Sequence, residues 1–283
     1  MQSLNYYWIN VFTTEQDKGN PLPVFVLKKT LSQTAMQKIA TMMNQSETVF
    51  IENLNNDSPK LHIYTPMQEL PFAGHPIIGA LQIIKKLKNS SCTDSLETLA
   101  GTVNVQIDQH QQIYWIKAPI TPKQRASTLD IPLTSQMLNI PESQIVSAPQ
   151  WLNTGSEQLI VELSDANAVD SIQINLDLFQ KHATLYAGRT MIYLWARDHD
   201  NVYTRYLYFK NGALGEDSGT GSACSNLGGL QVLEGNNNFE WTIRQGCLLG
   251  RENVLFLKVT ANQEIWIGGQ NRFMGKGELL WAD

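Results

Sequence analysis

The feature that most constrains this chain is an apolar run headed by one histidine, FAGHPIIGALQII at residues 72–84. It is shorter than the ~20 residues that a helix needs to cross a bilayer. Pro76 suits a first helical turn, because its missing N–H would have no intrahelical partner there. From Ile77 to Ile84 apolar residues cover nearly every side, and only three lysines look solvated: Lys85, Lys86 and Lys88. The run therefore predicts a helix enclosed by other structure.

Composition narrows the class of protein. The chain has 283 residues, 42% of them hydrophobic and 17% charged, which allows one large domain or two modest ones. A formal net charge of -5 and the lack of a long Lys/Arg cluster disfavour nucleic acid and anionic membranes as partners. The N-terminal MQSLNYYWINVF has no basic region followed by an apolar core, so it does not read as a signal peptide. We expect a cytoplasmic protein.

Cysteine and histidine spacing argues against two kinds of site. The three cysteines, Cys92, Cys224 and Cys247, are odd in number and widely spaced, and no C-x-x-C occurs. The five histidines form no H-x-x-x-H pair. Neither a disulfide framework nor a zinc site is expected.

The pattern of elements predicts two halves with one plan. In the first half, strands at 23–28, 49–51 and 61–65 surround a helix after a capping box of Thr30 and Gln33, and a hairpin covers 103–116. The second half again shows strands, a Gly-containing turn, a helix near Thr220 and a closing strand pair. We expect an N-terminal half of 1–118 joined by the tail 272–283, a linker at 119–127 and a C-terminal half of 128–271.

Two turns carry the candidate chemistry. One is Ala73-Gly74-His75-Pro76, and the other lies in GEDSGTGSACSNLGG at 215–229. Both place small residues where a strand gives way to a helix. The first N–H groups of a helix lack internal partners and carry roughly half a positive charge, and glycine permits close approach. Each turn is thus a candidate cradle for a carboxylate or another anion.

Several side chains near these turns can move protons. They are Glu47 in NQSET, Glu69 and His75 at the first turn, and Glu216, Asp217 and Ser222 at the second. A carboxylate at the rim of an apolar cleft suits general acid or base catalysis, because desolvation raises its pKa. Each also has a plain structural interpretation: Glu47 as a solvated loop residue, His75 as a histidine bonded to backbone, and Asp217 as a helix cap. Cys224 fits a small core residue.

Together the motifs resemble the phenazine-biosynthesis PhzF-like isomerase family. The resemblance rests on N-x-S-E-T at 44–48, E-L-x-F-A-G-H-P at 69–76 and E-D-x-x-T-G-S-A at 216–223, with weaker segments along nearly the whole chain. It implies the diaminopimelate epimerase-like fold, an α+β architecture of two similar halves. Each half is a curled, mostly antiparallel sheet around a central helix, and the active site lies between the halves.

The resemblance also implies roles. Glu47 falls on the family's main proton shuttle, and His75, Asp217 and Ser222 fall on residues that bind and polarise the substrate. Five neighbours are expected to contribute to substrate binding: Ser46, Gly74, Gly219, Thr220 and Gly221. The best-known family reaction isomerises a hydroxylated cyclohexadiene amino acid without metal, nicotinamide or pyridoxal phosphate. We therefore expect a cofactor-independent isomerase of a small carboxylated metabolite, and a homodimer.

Departures from the family pattern keep alternatives open. Ser218 and Gly219 stand where the family often has proline after E-D, and Ile77 follows G-H-P. A binding protein that kept the cleft and lost the chemistry is one alternative. A hydrolase with Ser222 as nucleophile is disfavoured, since no G-x-S-x-G elbow is present. Epimerase relatives use two cysteines as opposed bases, but those positions fall on Ala73 and Ser218, which disfavours a two-thiol racemase.

Overall fold

Strands supply most of the regular structure in the computed structural model, which describes residues 2–88 and 93–282. The chain divides into two compact units, Met1–Lys117 with Gly268–Asp283, and Ala118–Ile267. These limits lie close to those predicted from the sequence, and the division into independent domains stays a prediction. Cys92 falls outside the described residues.

The helices and strands of the first unit begin with the N-terminal strand and end with the hairpin before residue 118. They are β1 (Gln2–Val11), β2 (Asn20–Val26), α1 (Gln33–Met43), β3 (Thr48–Glu52), β4 (Lys60–Tyr64), β5 (Glu69–Leu70), α2 (Gly74–Leu87), β6 (Ser95–Thr98), β7 (Gly101–Asp108) and β8 (Ile113–Lys117).

The second unit contains more helices, most of them short. Its elements are β9 (Lys123–Ala126), α3 (Ile131–Leu138), β10 (Gln150–Asn153), β11 (Gln158–Glu162), α4 (Ala166–Ser171), α5 (Leu176–His182), β12 (Thr184–Tyr186), β13 (Arg189–Asp198), β14 (Asn201–Lys210), β15 (Ala213–Asp217), α6 (Gly221–Leu233), β16 (Phe239–Gln245) and β17 (Asn253–Val259), with 3₁₀ turns at Glu142–Gln144 and Cys247–Leu249. After it, β18 (Ile265–Gly269) leads into β19 (Asn271–Trp281), which returns to the first unit.

The apolar run forms α2, and the enclosure predicted for it is confirmed. Every residue from Gly74 to Leu81 is buried, as are Ile83 and Ile84. The helix packs against β1, β2, β3 and β8 of its own unit. It begins two residues before Pro76 and ends in the lysines expected to face solvent.

The two units share a pairing order, which confirms the predicted plan. In the first, β4 and β6 pair in parallel, and the chain between them runs through β5 and α2. In the second, β14 and β16 pair in parallel, and the connection runs through β15 and α6. Most other neighbours are antiparallel, including β1 with β2 and β13 with β14. Parallel neighbours need a crossover, and each central helix supplies one.

One local prediction is wrong. The cap of α1 is Ser32, whose hydroxyl oxygen accepts the N–H of Ala35 at 3.1 Å. Thr30 instead donates its hydroxyl to Glu52. Both residues are good caps, and the sequence does not show which one begins the helix. In the segment predicted as a linker, β9 pairs antiparallel with β10. All four residues of β9 are exposed, so no apolar alternation marks it as a strand.

The α-helices among the described residues are all too short or too polar to span a membrane.

The packing around α2 leaves no room for a side chain at Gly79. A Cβ there would contact the Leu22 side chain and lie 2.9 Å from Cγ2 of Val11, both fully buried. In Gly79→Ala the higher helix propensity of alanine stabilises the protein by about 1 kcal/mol. Overpacking of the core destabilises it by about 1–3 kcal/mol. We expect a net loss of up to about 2 kcal/mol in the free energy of unfolding, measured by urea denaturation.

The matched control is Gly275→Ala in β19 of the same unit, where an added Cβ meets nothing within 4 Å. Its unfolding free energy should stay within about 0.5 kcal/mol of the wild type. Equal stability of the two variants would contradict the close approach of α2 to β1 and β2.

Candidate active site

The first group of candidate residues lies in the connection between α1 and β3. Asn44 ends α1 in the left-handed region with φ 49°, and its N–H donates to the Ala40 carbonyl at 3.1 Å. The chain therefore reverses within a few residues, and Glu47 directly precedes β3. Asparagine tolerates this backbone conformation better than most residues do.

Glu47 contacts His75. Nδ1 of His75, the second residue of α2, lies 3.4 Å from Oε2 of Glu47. The side chains are 6% and 18% exposed. An imidazole and a carboxylate at this distance can share a proton, and the partial exposure of Glu47 leaves it within reach of a ligand. The pair is thus a candidate for proton transfer in the first unit.

The start of α2 has no capping or acidic side chain of its own. Ala73 provides no side-chain cap for α2, and the first turn carries no acidic residue. Gly74 is buried at the start of the helix, whereas Ser46 is exposed, with Oγ 3.4 Å from Oδ1 of Asn20. The positive end of the helix dipole is therefore not neutralised by its own sequence.

The second group of candidate residues lies between β15 and α6 and is held by a buried glutamine. Asp217 ends β15, and its Oδ2 accepts the hydroxyl of Thr220 at 2.6 Å. Gln245, fully buried, accepts the Thr220 N–H at 3.1 Å and donates to the Asp217 carbonyl at 2.8 Å. The sequence analysis did not identify Gln245. The one indication in the sequence is that Gln245 begins the segment QGCLLGR at 245–251, which resembles the family.

The glycines of this turn have a packing reason of their own. A Cβ on Gly219 would lie 2.7 Å from Oδ1 of the buried Asn253. Gly221, the first residue of α6, is also buried. Close packing accounts for the small residues here, and roles for Gly219, Thr220 and Gly221 in substrate binding stay predictions.

Ser222 is anchored by a second glutamine that the sequence did not single out. Its Oγ accepts a hydrogen bond from Nε2 of Gln158 at 2.8 Å. Gln158 begins β11 and is 2% exposed, whereas Ser222 is partly exposed. The hydroxyl is therefore positioned by the protein on one side and accessible on the other.

The remaining acidic candidates have structural partners. Glu69 bonds Nδ1 of His62 at 3.0 Å, and Glu52 bonds its Nε2 at 3.2 Å. The hydrogen bond from Thr30 holds the pKa of Glu52 below its usual value. Burial opposes this lowering of the pKa, and His62 adds to it. Glu216 forms an ion pair with Arg205 at 2.8 Å. Neither Glu69 nor Glu216 is needed to explain a reactive site.

Cysteine chemistry finds no support in the described residues. Cys224 is fully buried in α6, and burial raises the pKa of its thiol well above the usual range. Burial also raises the pKa of Cys247. Thiolates are the reactive form, so both residues are poor nucleophiles. Within residues 2–88 and 93–282, no three His, Cys, Asp or Glu side chains cluster as metal ligands.

Gly246 sets the position of the second turn, which gives a testable prediction. It has φ +78°, and a Cβ there would lie 2.7 Å from the carbonyl oxygens of both Ser218 and Arg251. Gly250, four residues later, has φ +64° but open space around it. Both alanine variants carry the left-handed backbone cost of about 1–2 kcal/mol, but only Gly246→Ala also displaces backbone.

We expect Gly246→Ala to lower the free energy of unfolding by roughly 1–3 kcal/mol more than Gly250→Ala, measured by denaturant titration. A crystal structure of Gly246→Ala should show Ser218 displaced. Equal destabilisation with an unmoved Ser218 would show that Gly246 does not support the turn.

Comparisons with known proteins identify the family of this chain. The family described as phenazine biosynthesis-like protein, PhzC-PhzF, matches residues 9–275. A Pasteurella multocida protein named as an uncharacterized isomerase is 38% identical over 277 residues, covering 97% of this chain and 93% of its own. The trans-2,3-dihydro-3-hydroxyanthranilate isomerase of Pseudomonas chlororaphis is 27% identical over 290 residues, covering 98% and 99%.

Solved structures of the same family have a similar fold. The crystal structure of a PhzF-family protein from Bacillus anthracis superposes with a TM-score of 0.81 at 17% identity, covering 99% of this chain and all of that one. The sequence motifs, the repeated strand–turn–helix plan and these similarities agree. The chain belongs to the phenazine biosynthesis-like (PhzF) family and is an enzyme of its isomerase class.

Proposed function

We propose that the enzyme moves a proton between two carbons of a small carboxylated substrate, with Glu47 as both base and acid. The contact between Glu47 and His75 at the start of α2 carries this proposal. Glu47 is a partly exposed carboxylate, and His75 is an imidazole in the first turn of α2. That helix is enclosed, and Ala73 before it provides no side-chain cap.

The proposed reaction needs no co-reactant. The Glu47 carboxylate takes a proton from one carbon, and the electron pair of that C–H bond enters the neighbouring conjugated system. The carboxylic acid so formed gives a proton to a different carbon, and the electron pair returns to form the new C–H bond. Glu47 ends as it began, and substrate and product are isomers. His75 orients the carboxylate and steadies its charge through the 3.4 Å contact.

Negative charge develops on the substrate while the proton is on Glu47. The amides of the first turns of α2 and α6 are donors aimed at such charge, and Ser222 adds a hydroxyl. One donor of this kind typically contributes about 3 kcal/mol to transition-state stabilisation. Asp217, an acceptor held by Thr220, suits an amino or hydroxyl group of the substrate.

A hydroxylated cyclic amino acid fits this mixture of donors and acceptors. We propose trans-2,3-dihydro-3-hydroxyanthranilate, the substrate named for the Pseudomonas chlororaphis relative, as the first compound to test. One substrate would engage both groups of residues, in the cleft that the resemblance predicts between the halves. The homodimer and the cytoplasmic location also stay predictions.

Glu47→Gln should abolish proton transfer while leaving a side chain of the same size. In heavy water the wild type should incorporate deuterium from solvent into the product, and the variant should do so about 10²–10⁴-fold more slowly. Mass spectrometry of the compound after incubation measures the exchange.

Glu15→Gln is the matched control, because its side chain is 58% exposed and pairs only locally with Lys18. Its exchange rate should equal that of the wild type. Undiminished exchange by Glu47→Gln would remove Glu47 from the mechanism. A wild type that binds the compound and never exchanges it would favour the binding-protein alternative.

A further inference from the structure

A chain of buried polar side chains runs through the second unit and ends at Ser222. Thr154, Gln158 and Asn226 are each 2% exposed or less. Thr154 directly follows β10, Gln158 begins β11, and Asn226 lies in α6. Buried amides are costly unless every donor and acceptor is paired, so their hydrogen bonds determine one another. We call Thr154, Asn226, Gln158 and Ser222 the polar ladder.

The backbone fixes the orientation of Asn226. The N–H of Thr154, which can only donate, lies 2.8 Å from Oδ1 of Asn226. The carbonyl of Ser156, which can only accept, lies 2.7 Å from its Nδ2. Rotating the amide by 180° would set donor against donor and acceptor against acceptor, so both contacts support one orientation.

Asn226 in turn fixes Gln158. Nδ2 of Asn226 donates to Oε1 of Gln158 at 2.8 Å. That contact makes Oε1 the inward atom and leaves Nε2 to face Ser222 at 2.8 Å. A flipped Gln158 would bring two NH₂ groups together in a buried site. Burial, and after it the Asp217 charge, raises the pKa of the Tyr206 phenol; the Arg189 charge and a hydrogen bond with the Gln158 amide oppose this rise.

From this geometry we infer that Gln158 is a positioning residue: the polar ladder makes the Ser222 hydroxyl accept from Gln158 and turn its own proton outward as a hydrogen-bond donor. The inference deepens the proposed function, and it rests on that function for a substrate at Ser222. The ligand group that such a serine takes is an anionic or carbonyl oxygen, not an ammonium or another donor.

The same polarity excludes other roles for Ser222. A serine nucleophile has to pass its proton to a neighbouring base, but the ladder presents it with a donor. Together with the first-turn amides of α6, the hydroxyl forms a set of donors suited to charge that develops on a substrate oxygen. Ser222 is thereby an electrostatic partner for the reaction rather than a second base.

Neutron diffraction from a deuterium-exchanged, ligand-free crystal tests the ladder without reference to activity. We expect a Gln158 deuteron on the line from Nε2 to Ser222 Oγ, with the Ser222 deuteron off that line. A Ser222 deuteron pointing at Oε1 of a flipped Gln158 would overturn the inference. This result is independent of whether the proposed substrate is correct.

Gln158→Glu tests the consequence for the reaction, because a carboxylate accepts from both Asn226 and Ser222 and reverses the hydroxyl. With trans-2,3-dihydro-3-hydroxyanthranilate we expect kcat/KM to fall about 10- to 100-fold. In a Ser222→Ala background the same change should have no further effect, since Gln158 acts through that hydroxyl. Equal losses in both backgrounds would mean that Gln158 has only a structural role and would overturn the inference.

Gln150→Glu on the neighbouring strand β10 is the matched control, and it should leave kcat/KM unchanged. If the wild type does not turn over this compound, the substrate proposal fails, while the neutron result still decides the polarity of Ser222.

Discussion

A helix covered on all sides has to find partners inside the protein for every polar side chain that it carries. This constraint shapes both central helices. In α2, His75 contacts Glu47 and Nε2 of Gln82 donates to the Asn271 carbonyl at 3.3 Å, while the lysines lie in the last turn. α6 carries Ser225 and Asn226 at positions 5% and 0% exposed, and the second unit supplies Thr154 and Gln158 to pair with them. The hydrogen bonds required by burial are the ones that reach Ser222.

The two units share one order of strands and helix, but the residues at the start of α2 and of α6 have different chemical properties. The start of α2 offers a carboxylate and an imidazole, groups that exchange protons. The start of α6 offers a hydroxyl and a turn held by Gln245, groups that bind and stabilise charge. Removing a proton from carbon needs both a base and a means of stabilising the electrons left behind.

The sequence predicted those features that produce a recognisable pattern over several neighbouring residues. The enclosed helix followed from apolar residues on every side. Two short motifs named Glu47 and His75 as candidate site residues, but the contact between them comes from the structure. Gln158, Gln245 and Asn226 escaped notice, because a lone amide in a strand or helix looks the same whether it faces solvent or a buried partner. Ser32 rather than Thr30 caps α1, since the choice between two good caps depends on Glu52, which is distant in sequence.

The central claim is that Glu47 itself carries the proton. The most direct measurement is a crystal structure of the E47Q variant, which should retain the substrate unreacted, with trans-2,3-dihydro-3-hydroxyanthranilate bound. We predict that the carbon which loses its proton lies about 3–3.5 Å from the side chain of residue 47. A bound substrate whose reacting carbon faces a different base, with residue 47 out of reach, would contradict it.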